Sequence, residues 1–221
     1  MLLRNDNGDA WAEPCRCKET AGQYRTRVLL AQSGLNEDEF RTKRFSTFNL
    51  DKHEDCAEML DATKQWLAGR LPWLVLIGRN GIGKSHLAVA ATGTLVEAGK
   101  MVRYIPWYEL TATLRLAQKS SGDGGYDLEL KEISDAPWLV IDDISEEEFR
   151  TDFQKAALTA LIDRRYRNRY PTMIATNLTM QEITARTNRV ADRLREGSLC
   201  HLFRARRAVS IRPTLQPDGD A

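Results

Sequence analysis

Four short apolar runs divide the middle and later parts of the chain. They cover residues 73–77, 102–105, 138–141 and 172–176. Each run is too short for a buried helix and is rich in strand-forming residues, so each predicts a buried strand. Segments with helical spacing lie between the runs, and this alternation favours a parallel sheet with helices on both faces. Ligands of such sheets bind at the carboxyl ends of the strands.

The segments before the first strand differ in character. Residues 51–67 place apolar side chains at helical spacing, and Gly69 follows where a helix C-cap belongs. Residues 1–44 show no sustained periodicity and predict a loosely structured arm. No run approaches the ~20 apolar residues of a membrane helix, and the first residues lack the order of a secretion signal. We therefore expect a cytoplasmic protein with no membrane partner.

The first strand runs into a glycine-rich loop. It matches the G-x-x-x-x-G-K-[ST] pattern and consists of Gly78, Arg79, Asn80, Gly81, Ile82, Gly83, Lys84 and Ser85. Glycines allow successive backbone N–H groups to turn towards phosphate oxygens, and a helix predicted over residues 84–96 directs its positive end to the same anion. Lys84 is expected on the β- and γ-phosphates and Ser85 on Mg²⁺. The alternative, a turn that binds no ligand, requires a chance match.

Polar residues end two further strands. Asp142 and Asp143 follow the third strand, and beside a phosphate loop they predict a magnesium-shell carboxylate and a residue that activates the attacking water. Without that loop, two such acids indicate only a solvated turn. Acids 146–148 are interpreted as the first turn of a helix running to residue 170. Asn177 ends the fourth strand and either orients the water or starts the turn before a helix over residues 179–186.

Residues 186–212 hold eight arginines against two acids, although the net charge of the whole chain is only +1. Such a segment is commonly a solvated face. Two functional interpretations compete with this one: an arginine donated to the γ-phosphate of a neighbouring subunit, and a face that contacts nucleic-acid phosphates. The sequence pattern leaves these three possibilities open.

Together these residues resemble the bacterial helicase loaders of the DnaC/DnaI type and the related IstB transposition helpers, which are AAA+ ATPases. The resemblance rests on FSTFN at 45–49, the phosphate loop, LVIDD at 139–143, DRRY at 163–166, PTMIATN at 171–177 and DRL at 192–194. It implies an α/β P-loop fold with a five-stranded parallel sheet flanked by helices. The expected organisation is an arm at 1–44, an ATPase domain at 45–212 and a disordered tail at 213–221.

The resemblance also implies roles for particular residues. Asn177 looks like the sensor-1 residue, and Arg193 looks like the arginine finger of a homo-oligomer, with Arg189 and Arg195 as substitutes. ATP and Mg²⁺ are the implied cofactors, and a replicative ring helicase and single-stranded DNA are the implied partners. The helix after the second strand, at roughly residues 109–119, is expected to face DNA through Arg115 and Lys119.

Several positions depart from the family pattern. Asp143 stands where many AAA+ proteins have Glu, which predicts slow intrinsic hydrolysis. The helical lid is expected to be absent or vestigial, with Arg212 as a stand-in second sensor. Cys15 and Cys17 look like half of a zinc ribbon, and because Cys56 or His53 would have to complete the ligand set, we expect no zinc.

Three functions follow. The favoured one is a loader that places a ring helicase on single-stranded DNA. The alternative is an IstB-like helper that assembles on duplex DNA and recruits a transposase. The third is a regulatory switch that binds ATP and hardly hydrolyses it.

Overall fold

Five parallel strands form the centre of the protein. The computed structural model describes residues 2–4, 10–12, 20–146, 149–197 and 200–205. A small antiparallel hairpin joins β1 (Leu2–Arg4) to β2 (Ala10–Ala12). The main sheet has the order β4-β5-β6-β3-β7, formed by β3 (Trp73–Ile77), β4 (Val102–Pro106), β5 (Trp138–Ile144), β6 (Thr172–Thr176) and β7 (Cys200–Arg204). The four strands predicted from the apolar runs and the five-stranded parallel sheet are confirmed.

Helices cover both faces of this sheet. One face packs against α5 (Trp107–Ser134), α6 (Asp152–Asn168), α7 (Met180–Arg186) and α8 (Asn188–Arg195). The other packs against α3 (Cys56–Leu67) and α4 (Lys84–Glu97). Short 3₁₀ turns at Phe45–Thr47 and Leu50–Lys52 lead into α3, so the helix predicted over residues 51–67 begins only at Cys56.

Residues 20–44 are part of this packed body, so the prediction of a loosely structured arm is wrong for them. They form α1 (Ala21–Ser33) and α2 (Glu37–Thr42), whose N-termini are capped by Thr20 and Asn36. Leu30 and Leu35 are buried in the same apolar cluster as α3 and α4. The signal in the sequence is weak because only Leu30 and Ser33 of α1 are buried and the helix relies on a capping box for its start.

The helix after β5 starts later than the sequence suggested. Acids 146–148 were expected in its first turn, whereas α6 begins at Asp152 behind the N-cap Thr151. The Thr151 hydroxyl accepts from the backbone N–H of Gln154, and the Gln154 side chain accepts from the backbone N–H of Thr151, which is a complete capping box. Glu146 instead pairs with Arg186 at 2.9 Å, and residues 147 and 148 lie outside the described residues.

A fully buried arginine holds the end of one helix and the starts of two strands together. Arg165 on α6 donates from Nη1 to the carbonyls of Ser134 and Ala136, at 2.8 and 2.7 Å, and from Nη2 to that of Pro171 at 2.6 Å. Its Nε donates to Thr172 Oγ1 at 2.8 Å. Burial lowers the pKa of Arg165 to about 9, so it is still a cation at neutral pH. The guanidinium therefore joins the end of α5 to the starts of β5 and β6.

Candidate nucleotide-binding site

The glycine-rich loop connects β3 directly to α4, as its pattern predicted. Gly81 and Gly83 have φ angles of +88° and +102°, which side-chain-bearing residues rarely adopt. A Cβ at Gly83 would lie 2.6 Å from the Phe48 ring, so this position has no room for a larger residue. Because α4 begins at Lys84, its first backbone N–H groups point towards the loop. Such an arrangement binds anions.

The Lys84 ammonium lies inside this loop. Its side chain is largely buried, and Nζ donates to the carbonyl oxygens of Gly78 at 2.7 Å and Arg79 at 2.9 Å. A cation held among loop carbonyls and helix N–H groups is suited to polyphosphate, since phosphate oxygens can replace those carbonyls as acceptors. The assignment of Lys84 to the β- and γ-phosphates stays a prediction.

Ser85 and Asp142 are brought together although 57 residues separate them. The Ser85 hydroxyl donates to Asp142 Oδ1 at 3.1 Å. Asp142 is 4% exposed, and burial raises the pKa of its carboxyl group while hydrogen bonds from Tyr104, Ser85 and the Asp143 N–H act in the opposite direction. A hydroxyl and a carboxylate beside a phosphate loop are the hard oxygen donors that Mg²⁺ prefers, so these two residues fit a magnesium ion.

Tyr104 is the residue of this site that the sequence reasoning missed. It lies on β4, is 6% exposed, and donates its hydroxyl to Asp142 Oδ2 at 2.9 Å. Burial, followed by the charge of Asp142, raises the pKa of Tyr104 well above its ordinary value, so the hydroxyl keeps its proton. The available signal was a phenol on a strand whose other residues are apolar apart from Arg103, because buried tyrosine hydroxyls usually have a polar partner.

Asp143 occupies a strained position beside Asp142. Its φ is +56°, in the left-handed region, and the pairing of β5 with β6 is irregular between Ile141 and Ile144. Aspartate tolerates this conformation better than most residues, and such strain often marks functional sites. The backbone N–H of Asp143 donates to Asp142 Oδ1 at 2.9 Å, while its own side chain is exposed. An exposed carboxylate here is free to meet a water molecule.

Asn177 follows β6, the strand between β3 and β5. Ile77 pairs with Thr176, and Thr176 pairs with Ile144, so the ends of the three strands lie at one edge. Thr176 Oγ1 donates to the Ile144 carbonyl at 2.6 Å, which fixes the end of β6 against β5. Half-buried Asn177 therefore leaves the sheet between the phosphate loop and the Asp142–Asp143 pair. Its sensor role remains a prediction.

The three candidate finger arginines lie on α8 and contact α6 and α7. Asp163 forms ion pairs with Arg189 Nε at 2.6 Å and with Arg193 Nε at 3.6 Å. The Arg193 guanidinium also lies over the Tyr166 ring, 4.2 Å from its centroid. Arg195 donates to Thr184 Oγ1 at 2.6 Å. In this single chain, α6 orients Arg189 and Arg193 together.

The candidate DNA-facing residues lie on α5, a helix that extends well beyond the predicted residues 109–119. Arg115 Nη2 donates to Thr151 Oγ1 at 3.4 Å, and its guanidinium lies 5.1 Å from the centre of the Phe153 ring. Arg115 and Lys119 line a shallow groove of about 380 Å³ whose wall includes Leu116, a residue 68% exposed. The groove combines positive charge with apolar surface.

Some predictions fall on residues that the structure does not describe. Cys15, Cys17, Arg212 and the tail at 213–221 lie outside the described residues, so their assignments stay predictions. Cys56 is buried beneath the phosphate loop, with Sγ 3.9 Å from the Ile82 carbonyl oxygen. Within the described ranges, no group of three or more His, Cys, Asp or Glu side chains is placed to hold a metal. The helices of that part of the chain include none long and apolar enough to cross a bilayer.

Comparisons with known proteins agree with this geometry. The replicative helicase loader DnaC of Escherichia coli K12 is 31% identical over 131 residues, which cover 59% of this chain and 53% of that protein. An IS21 putative ATP-binding protein of Pseudomonas aeruginosa is 31% identical over 93 residues, 42% of this chain and 34% of that protein. The chain thus spans about half the length of the DnaC loader that it matches, and less of the IS21 protein.

The fold is also found in a solved structure. The crystal structure of the DnaC helicase loader superposes with a TM-score of 0.65 at 22% identity, covering 77% of this chain and all of that one. This confirms the expected AAA+ P-loop fold. The model of the family described as IstB-like ATP binding protein matches residues 42–194, more than half of the chain. The chain therefore belongs to the IstB-like ATP-binding protein family.

Proposed function

We propose that this protein is an AAA+ ATPase that loads a replicative ring helicase onto single-stranded DNA. The observation behind the ATPase is the meeting of Lys84, Ser85 and Asp142 at the carboxyl ends of β3 and β5. The loader assignment is supported by the 31% identity to a replicative helicase loader over 131 residues. Because the chain spans about half of that relative, loading itself is a proposal about this protein.

Each residue of the site has a part in hydrolysis. Loop N–H groups and Lys84 hold the β- and γ-phosphates, and Ser85 and Asp142 hold Mg²⁺. When bound, the ion would supply positive charge that offsets the negative charge developing on the phosphates. Asp143 accepts a proton from water as the water oxygen bonds to the γ-phosphorus and the bond to the β–γ bridging oxygen breaks. The products are ADP and phosphate.

Two features support slow turnover by the isolated protein. The Asp143 carboxylate is one methylene shorter than glutamate, so it reaches the attacking water less well. In addition, the α8 arginines contact α6 and α7 of their own chain. We infer that Arg193 completes the site of a neighbouring subunit in a homo-oligomer, with Arg189 and Arg195 as substitutes. Hydrolysis then depends on assembly.

The proposed partners are a ring helicase and single-stranded DNA, and the proposed location is the cytoplasm, where these partners are found. Arg115 and Lys119 are placed to contact phosphates along the α5 groove, and exposed Leu116 offers an apolar surface to bases. Such contacts track a strand without reading its sequence. Binding is therefore expected to weaken as salt concentration rises.

A second candidate function is that of a transposition helper that assembles on duplex DNA and recruits a transposase. The similarity to the IS21 protein favours it, and so does the family description. The IS21 match covers 42% of this chain against 59% for the E. coli loader, so we place the loader first.

The test is ATP turnover by the purified protein at fixed low salt. Turnover is measured alone, with single-stranded DNA, with duplex DNA, and with a ring helicase of the same host. Lys84→Ala serves as the control for contaminating ATPases. Stimulation by single strands or by the helicase supports the loader. Stimulation by duplex alone favours the transposition helper, and normal ATP affinity without stimulation by any partner indicates a regulatory switch.

A further inference from the structure

We propose that Tyr104 is a positioning residue for the magnesium shell: its hydroxyl fixes the Asp142 carboxylate in the orientation that the metal–nucleotide complex requires. The proposal rests on the assignment of Asp142 to that shell in the proposed function. It adds a residue from β4, a strand outside the sequence motifs, to a site otherwise built from β3, α4 and β5.

Both oxygens of Asp142 are held by donors. Oδ1 accepts from Ser85 Oγ at 3.1 Å and from the Asp143 N–H at 2.9 Å, and Oδ2 accepts from the Tyr104 hydroxyl at 2.9 Å. These donors come from α4, β5 and β4, so the carboxylate cannot rotate without breaking at least one hydrogen bond. Tyr104 is the donor to Oδ2 in this set.

The three donors to Asp142 are compatible with a metal ion beside it. A serine hydroxyl has two lone pairs and one proton, so Ser85 can offer its oxygen to Mg²⁺ and still donate to Asp142 Oδ1. Only the Tyr104 hydroxyl donates to Oδ2 in this set, so it fixes the second oxygen of the carboxylate. A carboxylate has about four lone-pair sites, so these three donors leave one position for the metal shell.

Tyr104 is itself rigidly placed. Its side chain is 6% exposed, and its backbone pairs with Val140 of β5. On the outer side, Gly34 is the C-cap of α1 with φ +82°, and a Cβ at Gly34 would lie 2.5 Å from the Tyr104 carbonyl oxygen. Strand β4 therefore packs between β5 and the end of α1, which fixes the backbone that carries the phenol. Such fixed outer residues orient metal ligands.

Removing the Tyr104 hydroxyl is expected to weaken metal binding and to leave phosphate binding unchanged. In Tyr104→Phe, Oδ2 of Asp142 loses its donor and the carboxylate gains rotational freedom. Loss of an outer-shell partner typically costs about 10- to 100-fold in metal affinity, and we expect the lower end because the Asp143 N–H remains. Lys84 and the glycine loop are unchanged, so nucleotide affinity without metal is expected to stay the same.

The experiment measures binding of a fluorescent, non-hydrolysable ATP analogue as Mg²⁺ is titrated, and again in EDTA. Tyr126→Phe is the matched control, because it removes the hydroxyl of a half-buried phenol on α5 whose ring packs against Phe153. We expect Tyr104→Phe to raise the half-saturating Mg²⁺ concentration about 10-fold, with an unchanged dissociation constant in EDTA. The control is expected to match the wild type.

A second variant, Asp142→Asn, shows whether a negative result concerns the role of Tyr104 or the metal site of the proposed function. If Asp142→Asn shifts the Mg²⁺ dependence and Tyr104→Phe does not, the role of Tyr104 is overturned. Equal weakening by Tyr104→Phe with Mg²⁺ and in EDTA overturns it as well. If Asp142→Asn has no effect, the metal-shell assignment itself fails. If Tyr104→Phe does not fold, Tyr104→Met takes its place, because methionine also lacks the hydroxyl and its flexible side chain lets the core repack.

Discussion

Replacing the buried Arg165 by methionine is expected to lower the free energy of unfolding by about 3 kcal/mol. The change leaves the carbonyls of Ser134, Ala136 and Pro171 without their buried donor, at about 1–3 kcal/mol each. Part of this loss is offset, because the folded state no longer has to desolvate a cation. Three unsatisfied acceptors that each cost ~1.5 kcal/mol, minus the offset of ~1–2 kcal/mol, give a net loss of about 3 kcal/mol in the free energy of unfolding.

The assay is equilibrium unfolding in urea, followed by far-UV circular dichroism. With a slope of about 2.5 kcal/mol per molar urea, the midpoint is expected to fall by about 1.2 M. Arg164→Met is the matched control, because Arg164 is the next residue and forms a bidentate pair with Asp135, at 2.7 Å for both bonds, with a partly exposed side chain. Such surface pairs contribute about 1 kcal/mol or less.

Equal midpoints for the two variants would refute this reasoning, because they would show that the buried hydrogen bonds of Arg165 contribute no more than a surface ion pair. A midpoint for Arg165→Met above that of the wild type would show that the desolvation cost of the cation dominates. In either case the guanidinium would not be what holds the starts of β5 and β6 together.

Three further predictions concern catalysis and pH. Asp143→Asn should leave ATP affinity unchanged and lower ATP turnover about 100-fold or more, because the variant lacks the general base. An equal loss of ATP affinity and turnover would place Asp143 among the metal ligands. Arg193→Ala should lose ATP turnover. Part of the turnover should return when this variant is mixed with Lys84→Ala, because one kind of mixed interface joins an intact Lys84 from one subunit to an intact Arg193 from the other. If no mixing ratio restores turnover, Arg193 acts within its own subunit. The pair with Arg164 holds the pKa of Asp135 below its ordinary 3.8, so its stabilisation is present above that pH and lost as pH falls through the folded-state value. The difference between the urea midpoints of wild type and Asp135→Asn should therefore be largest at about pH 7 and shrink as the pH falls below 3.8, and a constant difference would contradict the assignment.

The sequence predicted four of the five strands of the main sheet, and the phosphate loop, because short apolar runs and a glycine pattern are local signals. It did not predict β7, because Cys200–Arg204 is an edge strand in which only Cys200 and Phe203 are buried, and it lies within a strongly basic segment. Edge strands bury less apolar surface and resemble loops in composition. Helices α1 and α2 were missed for a related reason, since few of their residues reach the core.

The candidate site shows the same division between local and non-local information. Lys84, Ser85 and Asp142 were predicted because their positions at strand ends follow from the parallel topology. Tyr104 was not, because its hydrogen bond to Asp142 depends on the pairing of β4 with β5, which no pattern within β4 reveals. The sharing of Asp163 by Arg189 and Arg193 likewise depends on how α8 packs against α6.

The most direct test of the account is calorimetric titration of ATP with Mg²⁺ into the wild-type protein and Lys84→Ala. The wild type is expected to bind one ATP per chain. Lys84→Ala is expected to bind ATP with an affinity about 10- to 100-fold lower, because it loses a charge-assisted hydrogen bond of about 1.5–3 kcal/mol. Circular dichroism should show the same fold for both proteins. Equal ATP affinity of the two folded proteins would contradict the assignment of residues 78–85 to nucleotide binding.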